Sequence, residues 1–249
     1  MKYLKIEGNN AGLFSTFLIT IDNLLYCDKN NIIPTVNWFN PNYSIGNNNN
    51  VFNNYFESIG NGKGESSRKE FYHGFDINYL TENNDYKLEL SGIINKYIKI
   101  KKEIEEKLNS FLNQYFTEDI VGIHIRGMEG DNNGGTSQEN FDKLKDLNFY
   151  YELLKDVPNK IFIASDNNEV INYLKNKLGD KIITQDIYRC ENFVNTGLHF
   201  QETDNYKKGE GVLLDVLLLS KCKEIKMRQS NIPVSALLWN PKLKYERYD

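Results

Sequence analysis

Cysteine, proline, methionine and long apolar runs are all scarce in this 249-residue chain, and their scarcity excludes several classes of protein. The three cysteines, Cys27, Cys190 and Cys222, are odd in number and form no CxxC pair, which argues against a disulfide framework or a zinc site. A reducing compartment fits them best, so we expect a cytoplasmic protein. No run of about 18 apolar residues occurs, so no membrane span is expected.

An excess of positive charge is also absent. Thirty Lys and Arg against 34 Asp and Glu give a formal net charge of −4, so nucleic-acid binding driven by overall charge is not expected. An anionic ligand would therefore need a local positive site. The content of 40% hydrophobic and 26% charged residues is typical of a globular protein, and the length permits one large domain or two small ones.

The order of apolar patterns predicts an α/β protein. A strand at 3–7, a helix at 13–26 and a strand at 32–38 form the βαβ pattern of a parallel sheet. Residues 39–67 are rich in Asn and Gly, which predicts a loop with short helical pieces, and 91–116 predicts one long amphipathic helix or two in series. Further strands are expected at 120–126, 160–165, 181–184 and 224–227, and helices at 140–156, 169–178, 211–221 and 230–238.

The most informative stretch is the strand that ends at His124 and Arg126. Side chains alternate along a strand, so its β-branched residues face one side, and Gly122, His124 and Arg126 face the other. A glycine-punctuated loop with Glu129 and Asp131 follows, at the sheet edge where α/β folds bind ligands. An arginine there can make a forked contact to phosphate or carboxylate, which suggests a nucleotide or nucleotide-sugar site. The alternative is a surface ion pair for Arg126 and a satisfied core histidine.

A second polar strand end is formed by Ser165 and Asp166, directly before a helix. Either residue could cap that helix through its side-chain oxygen, and the spacing alone favours this interpretation. The functional alternative is that Asp166 accepts hydrogen bonds from a guanine edge or from ribose hydroxyls.

A third feature is a helix that is apolar almost all round, hence buried, and contains Asp215. An unpaired buried carboxylate is costly, so Asp215 should have a partner, and a structural hydrogen bond is the simpler explanation. Further on, Ser230 and Asn231 open a helix after a strand. Such an N-terminus offers free N–H groups and a positive dipole end to a phosphate, although capping alone would also account for these residue types.

Taken in order, these motifs resemble those of the fucosyltransferase superfamily, which includes nodulation, α1,6- and α1,2-fucosyltransferases and protein O-fucosyltransferases. The resemblance is carried by the HxR strand at 122–126, the Ala-Ser-Asp strand end at 163–166, and the block at 209–231, which is similar to the family's G-x-x-x-D-x-x-L-L-S…S-[SN] pattern. The first βα turn, at 8–14, resembles the family's GGLGNQLF. The match is best over residues 118–241.

The resemblance implies a GT-B architecture, with two Rossmann-like domains facing a cleft. A reduced acceptor-side domain would span 1–116, and a GDP-sugar-binding domain 117–249. It also implies an inverting, metal-independent transferase that moves fucose from GDP-fucose to a glycan or other hydroxyl acceptor, with no cofactor besides this donor.

Site roles follow from the same resemblance. Arg126 would grip the β-phosphate, His124 would sit beside the nucleotide, and Asp166 would contact guanine or ribose. Ser230 with Asn231 would bind phosphate. The remaining donor-binding candidates are Asp215, Asn10 and Gly12. Separately from the resemblance, transfer needs a base or hydrogen-bond acceptor at the acceptor hydroxyl, and the candidates for it are Glu129, Asp131, His73 and Asp76.

This chain departs from the family pattern at one position. Many relatives have two arginines, as HxRR, where this chain has Arg126 followed by Gly127, although the protein O-fucosylating branch also has a single arginine. The alternative function is therefore a nucleotide-sugar- or glycan-binding protein of the same fold that has lost catalysis.

Overall fold

Two parallel sheets form the frame of the molecule. The computed structural model describes residues 1–46, 50–61, 67–68, 81–126, 146–191, 198 and 203–248. The first sheet has the order β2-β1-β3 and consists of β1 (Lys2–Glu7), β2 (Ile32–Asn37) and β3 (Ser67–Arg68). The second sheet has the order β6-β5-β4-β7-β8 and consists of β4 (Ile120–Ile125), β5 (Lys160–Ser165), β6 (Ile182–Ile183), β7 (Glu224–Met227) and β8 (Lys244–Arg247). The predicted α/β class is confirmed.

Helices connect and cover these strands. They are α1 (Leu13–Lys29), α2 (Phe52–Tyr55), α3 (Asn84–Tyr97), α4 (Lys102–Tyr115), α5 (Leu147–Leu154), α6 (Asn168–Leu178), α7 (Asn205–Lys221) and α8 (Asn231–Trp239). A short 3-10 turn lies at Pro41–Tyr43. None of the helices in the described ranges is long and apolar enough to cross a bilayer. The three cysteines form no disulfide and are buried.

Several element boundaries differ from the predictions. The segment predicted at 91–116 forms two helices, and the first begins earlier, where the Asn83 side chain caps it. The helix predicted at 140–156 is described only from residue 147, after the cap at Asp146. Helix α7 begins six residues before the predicted start of 211, because Asp204 caps it. Its first turn is polar and lacks the apolar spacing on which the prediction was based. Strand β8 was not predicted, since its sequence is polar and it lies at the sheet edge.

One hydrophobic cluster joins the two sheets. The Trp239 ring of α8 stacks on the Phe17 ring of α1 at 4.6 Å between centroids and meets Phe14 edge-on at 6.1 Å. Offset and edge-on aromatic pairs of this kind stabilise a core beyond the apolar area that they bury. The N-terminal helix α1 is therefore packed directly against α8, the helix whose N-cap residue is Ser230. The domain boundary near residue 116 stays a prediction.

Helix α7 is held between the two halves by close packing. The Tyr55 hydroxyl donates a hydrogen bond shared between the Asn205 and Tyr206 carbonyls, both at 3.3 Å. A Cβ added at Gly209 would lie 2.0 Å from the Tyr55 oxygen. At the other end, a Cβ on Gly122 of β4 would lie 2.8 Å from the Cys222 sulfur. Glycine at these two positions allows α7 to approach both the N-terminal half and strand β4.

This packing predicts opposite effects for two Gly→Ala substitutions inside helices. Gly209→Ala should lower the free energy of unfolding by about 1–3 kcal/mol, because the buried Tyr55 cannot move away without losing its hydrogen bonds. The matched control Gly92→Ala should raise it by up to about 1 kcal/mol, because nothing lies within 4 Å of the added Cβ and alanine favours the helix. Urea unfolding followed by circular dichroism measures both, and equal effects of the two substitutions would refute the packing argument.

Candidate functional site

His124 is buried at the carboxyl end of β4, with 5% of its surface exposed. Burial, and secondarily the charge of Arg126, lowers the pKa of His124 to about 3. The ring is therefore neutral at physiological pH. Its Nδ1 lies 3.4 Å from the Ser230 Oγ, and the backbone carbonyl of His124 accepts a hydrogen bond from the Tyr248 hydroxyl.

Arg126 follows the last residue of β4 and is exposed. Its positive charge contributes to the lowered pKa of His124, so the guanidinium lies within electrostatic reach of the imidazole. The alternation predicted for this strand is consistent with the packing. Gly122 faces Leu219 and Ile225, whereas Ile123 and Ile125 belong to a separate cluster with α5 and α6.

At the end of β5, the residue that caps the next helix is Asn167. Its side chain accepts hydrogen bonds from the Glu169 and Val170 N–H groups at 2.7 and 3.3 Å, and the Ser165 hydroxyl accepts one from the Asn167 N–H. The interpretation of Ser165 or Asp166 as the helix cap is therefore wrong. Asp166 comes one residue too early to cap, and instead lines a pocket beside His124.

Asp215 has the partner that its burial requires. Its Oδ1 accepts a hydrogen bond from the Gln185 Nε2 at 2.5 Å, which confirms the expectation that a lone carboxylate in an apolar helix is paired. Burial raises the pKa of Asp215 to about 7, although the Arg189 charge and the Gln185 hydrogen bond act in the opposite direction. The carboxyl group is thus poised to change its protonation state near neutral pH.

Arg189 fixes the segment that carries Gln185. It is 5% exposed and donates to the Ser165 carbonyl at 3.0 Å, the Ile187 carbonyl at 3.3 Å, the Thr184 hydroxyl at 2.7 Å and the Gln185 carbonyl at 2.8 Å. A buried guanidinium with these acceptors holds the chain after β6 against the end of β5. Sequence reasoning missed Arg189 and Gln185, because neither lies in a periodic segment or a recognisable motif.

These elements surround a pocket with about 420 Å³ of empty space, part of it open to solvent. The polar lining includes His124, Ser165, Asp166, Lys208 and Asp215, and the apolar lining includes Ile187, Val212 and Ile232. Tyr188, which is 46% exposed, also borders it. Three predicted donor-binding residues, His124, Asp166 and Asp215, therefore share one pocket.

The N-terminus of α8 lies beside this pocket. Ser230 is the N-cap residue, but its side chain makes no capping hydrogen bond, and its hydroxyl is directed instead towards His124. The interpretation of Ser230 as a side-chain cap is therefore wrong. The N–H groups of Asn231 and Ile232 belong to the first turn, where no carbonyl of the same helix can accept them. They are available to an anion at the positive end of the helix dipole.

The first βα turn of the N-terminal half approaches the pocket indirectly. Asn10 and Gly12 are not among its lining residues, and Gly12 is the N-cap residue of α1. The neighbouring Leu13 N–H donates to the Tyr43 hydroxyl at 3.3 Å. The Lys208 ammonium, which borders the pocket, lies 5.6 Å from the centroid of the Tyr43 ring. Lys208 was not a predicted site residue, since it precedes the predicted start of the helix at 211 and a lysine there carries no distinctive signal.

The predicted candidates for the acceptor side lie outside the described residues. They are His73, Asp76, Glu129 and Asp131. Their roles stay predictions.

The buried imidazole predicts an acid-sensitive contribution to stability. The folded-state pKa of His124 is depressed to about 3 from 6.5. The contribution of neutral His124 to the free energy of unfolding is therefore full above pH 6.5 and is lost as the pH falls towards 3. Below about pH 6, wild type should therefore lose about 1 kcal/mol of unfolding free energy per pH unit relative to His124→Asn. Urea unfolding from pH 7 to about pH 4 measures this difference.

Asp215→Asn provides a control of opposite sign. The raised pKa of Asp215, about 7 against 3.8, gives a contribution that is full below pH 3.8 and is lost as the pH rises through about 7. Wild type should therefore lose stability relative to Asp215→Asn as the pH rises over this window. Parallel pH profiles for wild type and both variants would contradict the burial of these two groups.

Comparison with solved structures identifies the fold. The chain aligns over 100% of its length with 96% of the NodZ α1,6-fucosyltransferase co-crystallized with GDP, at a TM-score of 0.61 and 14% identity. It aligns equally fully with 95% of the fucosyltransferase NodZ from Bradyrhizobium, at a TM-score of 0.64 and 13% identity. With POFUT1 in complex with GDP-fucose, the alignment covers 99% of this chain and 97% of that one, at a TM-score of 0.57 and 10% identity.

No protein-family model matches the chain, and no curated protein matches it. The agreement between the parallel sheets and the solved structures is thus one of three-dimensional fold. This chain has the α/β, GT-B fold of the fucosyltransferases.

Proposed function

We propose that this protein is an inverting, metal-independent glycosyltransferase that moves fucose from GDP-fucose to a glycan or other hydroxyl acceptor. The observation that carries the proposal is the convergence of three features at one sheet edge: the pocket between His124 and Asp215, the open N-terminus of α8, and the guanidinium of Arg126. Solved structures with this fold have been obtained with GDP and with GDP-fucose, which supports a nucleotide-sugar donor.

The pocket has the chemistry to bind a guanine base. Guanine presents adjacent N–H donors on its Watson–Crick edge, and a carboxylate such as Asp215 can accept them. Ile187, Val212 and Ile232 supply apolar surface for the faces of the ring. Asp166, at the rim, would accept hydrogen bonds from the ribose hydroxyls or from the base. Neutral His124 adds polar contact without adding charge.

The phosphates would lie beyond the ribose, at the N-terminus of α8. The Asn231 and Ile232 N–H groups and the helix dipole favour a negative charge there. Because the Ser230 side chain does not cap α8, it accepts no hydrogen bond from the N–H groups of this first turn. Arg126, one residue beyond β4, adds a full positive charge and can make a forked, charge-assisted contact to phosphate oxygens.

This arrangement fits inverting transfer. As the bond between fucose and phosphate breaks, negative charge grows on the β-phosphate, and positive charge grows on the sugar ring. Arg126 and the α8 N-terminus would stabilise the leaving diphosphate electrostatically. The acceptor hydroxyl needs a base or a hydrogen-bond acceptor, for which Glu129, Asp131, His73 and Asp76 remain the candidates.

Removal of the Arg126 charge should weaken transfer without unfolding the protein. A charge-assisted hydrogen bond contributes about 1.5–3 kcal/mol, so Arg126→Ala should lower kcat/KM for GDP-fucose by about ten- to a hundredfold. The matched control is Lys160→Ala, which removes a charge at the opposite end of the neighbouring strand, where Lys160 forms an exposed ion pair with Glu118.

The assay is transfer of radiolabelled fucose to a broad glycan panel, with folding verified by circular dichroism. Near-normal transfer by folded Arg126→Ala would contradict the proposed role. Binding of GDP-fucose by wild type without transfer to any acceptor would favour the alternative of a nucleotide-sugar-binding protein that has lost catalysis.

Metal independence is tested separately. Because the chain's own cations and helix dipole are proposed to neutralise the diphosphate, we expect the transfer rate to be unchanged in excess EDTA. Transfer that is lost in EDTA and restored by Mg²⁺ or Mn²⁺ would show that a divalent cation supplies this charge instead.

A further inference from the structure

A second arginine leaves the sheet beside Arg126. Strands β4 and β7 are parallel neighbours in which His124 pairs with Met227. Met227 is the last residue of β7, so Arg228 emerges at the same edge as Arg126. Neighbouring strands are about 4.8 Å apart, which brings the backbones that carry the two guanidinium groups close together.

Arg228 begins on the opposite face of the sheet from His124. Ile225 and Met227 pack in the cluster that contains α7 and α8, so alternation directs residue 228 towards the face of Ile125 and Tyr150. The electrostatics agree with this direction, because the Arg228 charge acts to lower the pKa of the Tyr150 hydroxyl, although burial dominates and raises that pKa to about 12. Asp166, on the rim of the pocket, acts on the same hydroxyl.

Two other cations, Lys226 within β7 and Lys223 directly before it, have carboxylate partners. Lys226 pairs with Glu246, and Lys223 pairs with Asp119 at 2.8 Å. The Arg228 side chain is half-buried, and it makes no ion pair or side-chain hydrogen bond with another residue of the described ranges. A partly desolvated guanidinium without an anion is unfavourable. Of these three cations, Arg228 is the one without a carboxylate partner in the described ranges, and it lies at the edge of the sheet beside the pocket.

The next residue also carries an unsatisfied donor. The Gln229 Nε2 is buried and has no hydrogen-bond acceptor in the part of the chain that the structure describes. It is followed by Ser230, which does not cap α8, and by the free N–H groups of the first turn. The segment 228–231 therefore presents a charged donor, an amide donor and a helix N-terminus in succession, all of which an anion would satisfy.

We propose that Arg228 is a second guanidinium of the diphosphate site, contributed by β7 beside Arg126 of β4. This inference rests on the proposed function and names a phosphate-binding residue within it. A nucleoside diphosphate carries more than one negative charge, and Arg126 supplies one positive charge. Arg228 supplies a second positive charge from the neighbouring strand, at the same edge of the sheet.

The test compares the binding of GDP and GMP by isothermal titration calorimetry. Arg228→Ala should lower the affinity for GDP about ten- to a hundredfold, because a charge-assisted contact to the β-phosphate is lost. The affinity for GMP should change little, because GMP lacks that phosphate. Arg228→Lys should retain part of the GDP affinity, since it keeps the charge but not the fork.

Two further variants separate this role from general effects. Lys223→Ala removes the same charge at the other end of β7 and should leave the affinity for GDP close to that of wild type. Arg228→Gln keeps most of the side-chain length and supplies a second uncharged variant should Arg228→Ala fail to fold. It should show the same selective loss of GDP affinity.

The outcomes are distinguishable. Selective loss of GDP affinity in the uncharged Arg228 variants, with Lys223→Ala unaffected, supports the inference. Normal GDP affinity in a folded, uncharged variant overturns the inference about Arg228 and leaves the proposed function intact. An equal loss of GDP and GMP affinity also overturns it, because it would indicate a structural role for Arg228 near Tyr150. Absence of GDP binding by wild type overturns both proposals.

Discussion

Two ionisable side chains, His124 and Asp215, are buried at the end of a parallel sheet, and this burial governs the chemistry of the pocket between them. Burial lowers the pKa of His124 and raises that of Asp215, so both are driven towards their neutral forms. Gln185 and the charge of Arg189 compensate Asp215 only in part. A ligand that donates hydrogen bonds to the carboxylate would restore the interactions that Asp215 loses with water.

The rest of the fold holds this pocket in shape. Parallel strands β4, β5 and β7 end side by side, so that residues far apart in the sequence meet at one edge. Helix α7, which carries Asp215, is fixed by the contact of Gly209 with Tyr55 at one end and of Gly122 with Cys222 at the other. Such close contacts leave little freedom for the pocket wall, and preorganised polar groups of this kind are what electrostatic stabilisation of a leaving group requires.

The strands around the site could be predicted from the sequence, because a buried parallel strand is a short apolar run that ends at polar residues. This reasoning located β4, β5 and β7 and the residues His124, Asp166 and Asp215. It could not choose the cap of α6, because Asp166 and Asn167 are both good capping residues, and the backbone conformation decides between them. It also missed Gln185 and Arg189, whose roles arise from contacts with residues distant in the sequence. The order of the motifs carried more information than any one of them, since HxR, a strand-end Asp and a helix-opening Ser-Asn are each common.

A crystal structure of the protein with GDP tests the proposed donor site most directly. We expect guanine within hydrogen-bond distance of the Asp215 carboxylate, and the diphosphate at the N-terminus of α8 with the β-phosphate on Arg126. GDP bound elsewhere, or a base pocket that stays empty at saturating GDP, would contradict this expectation.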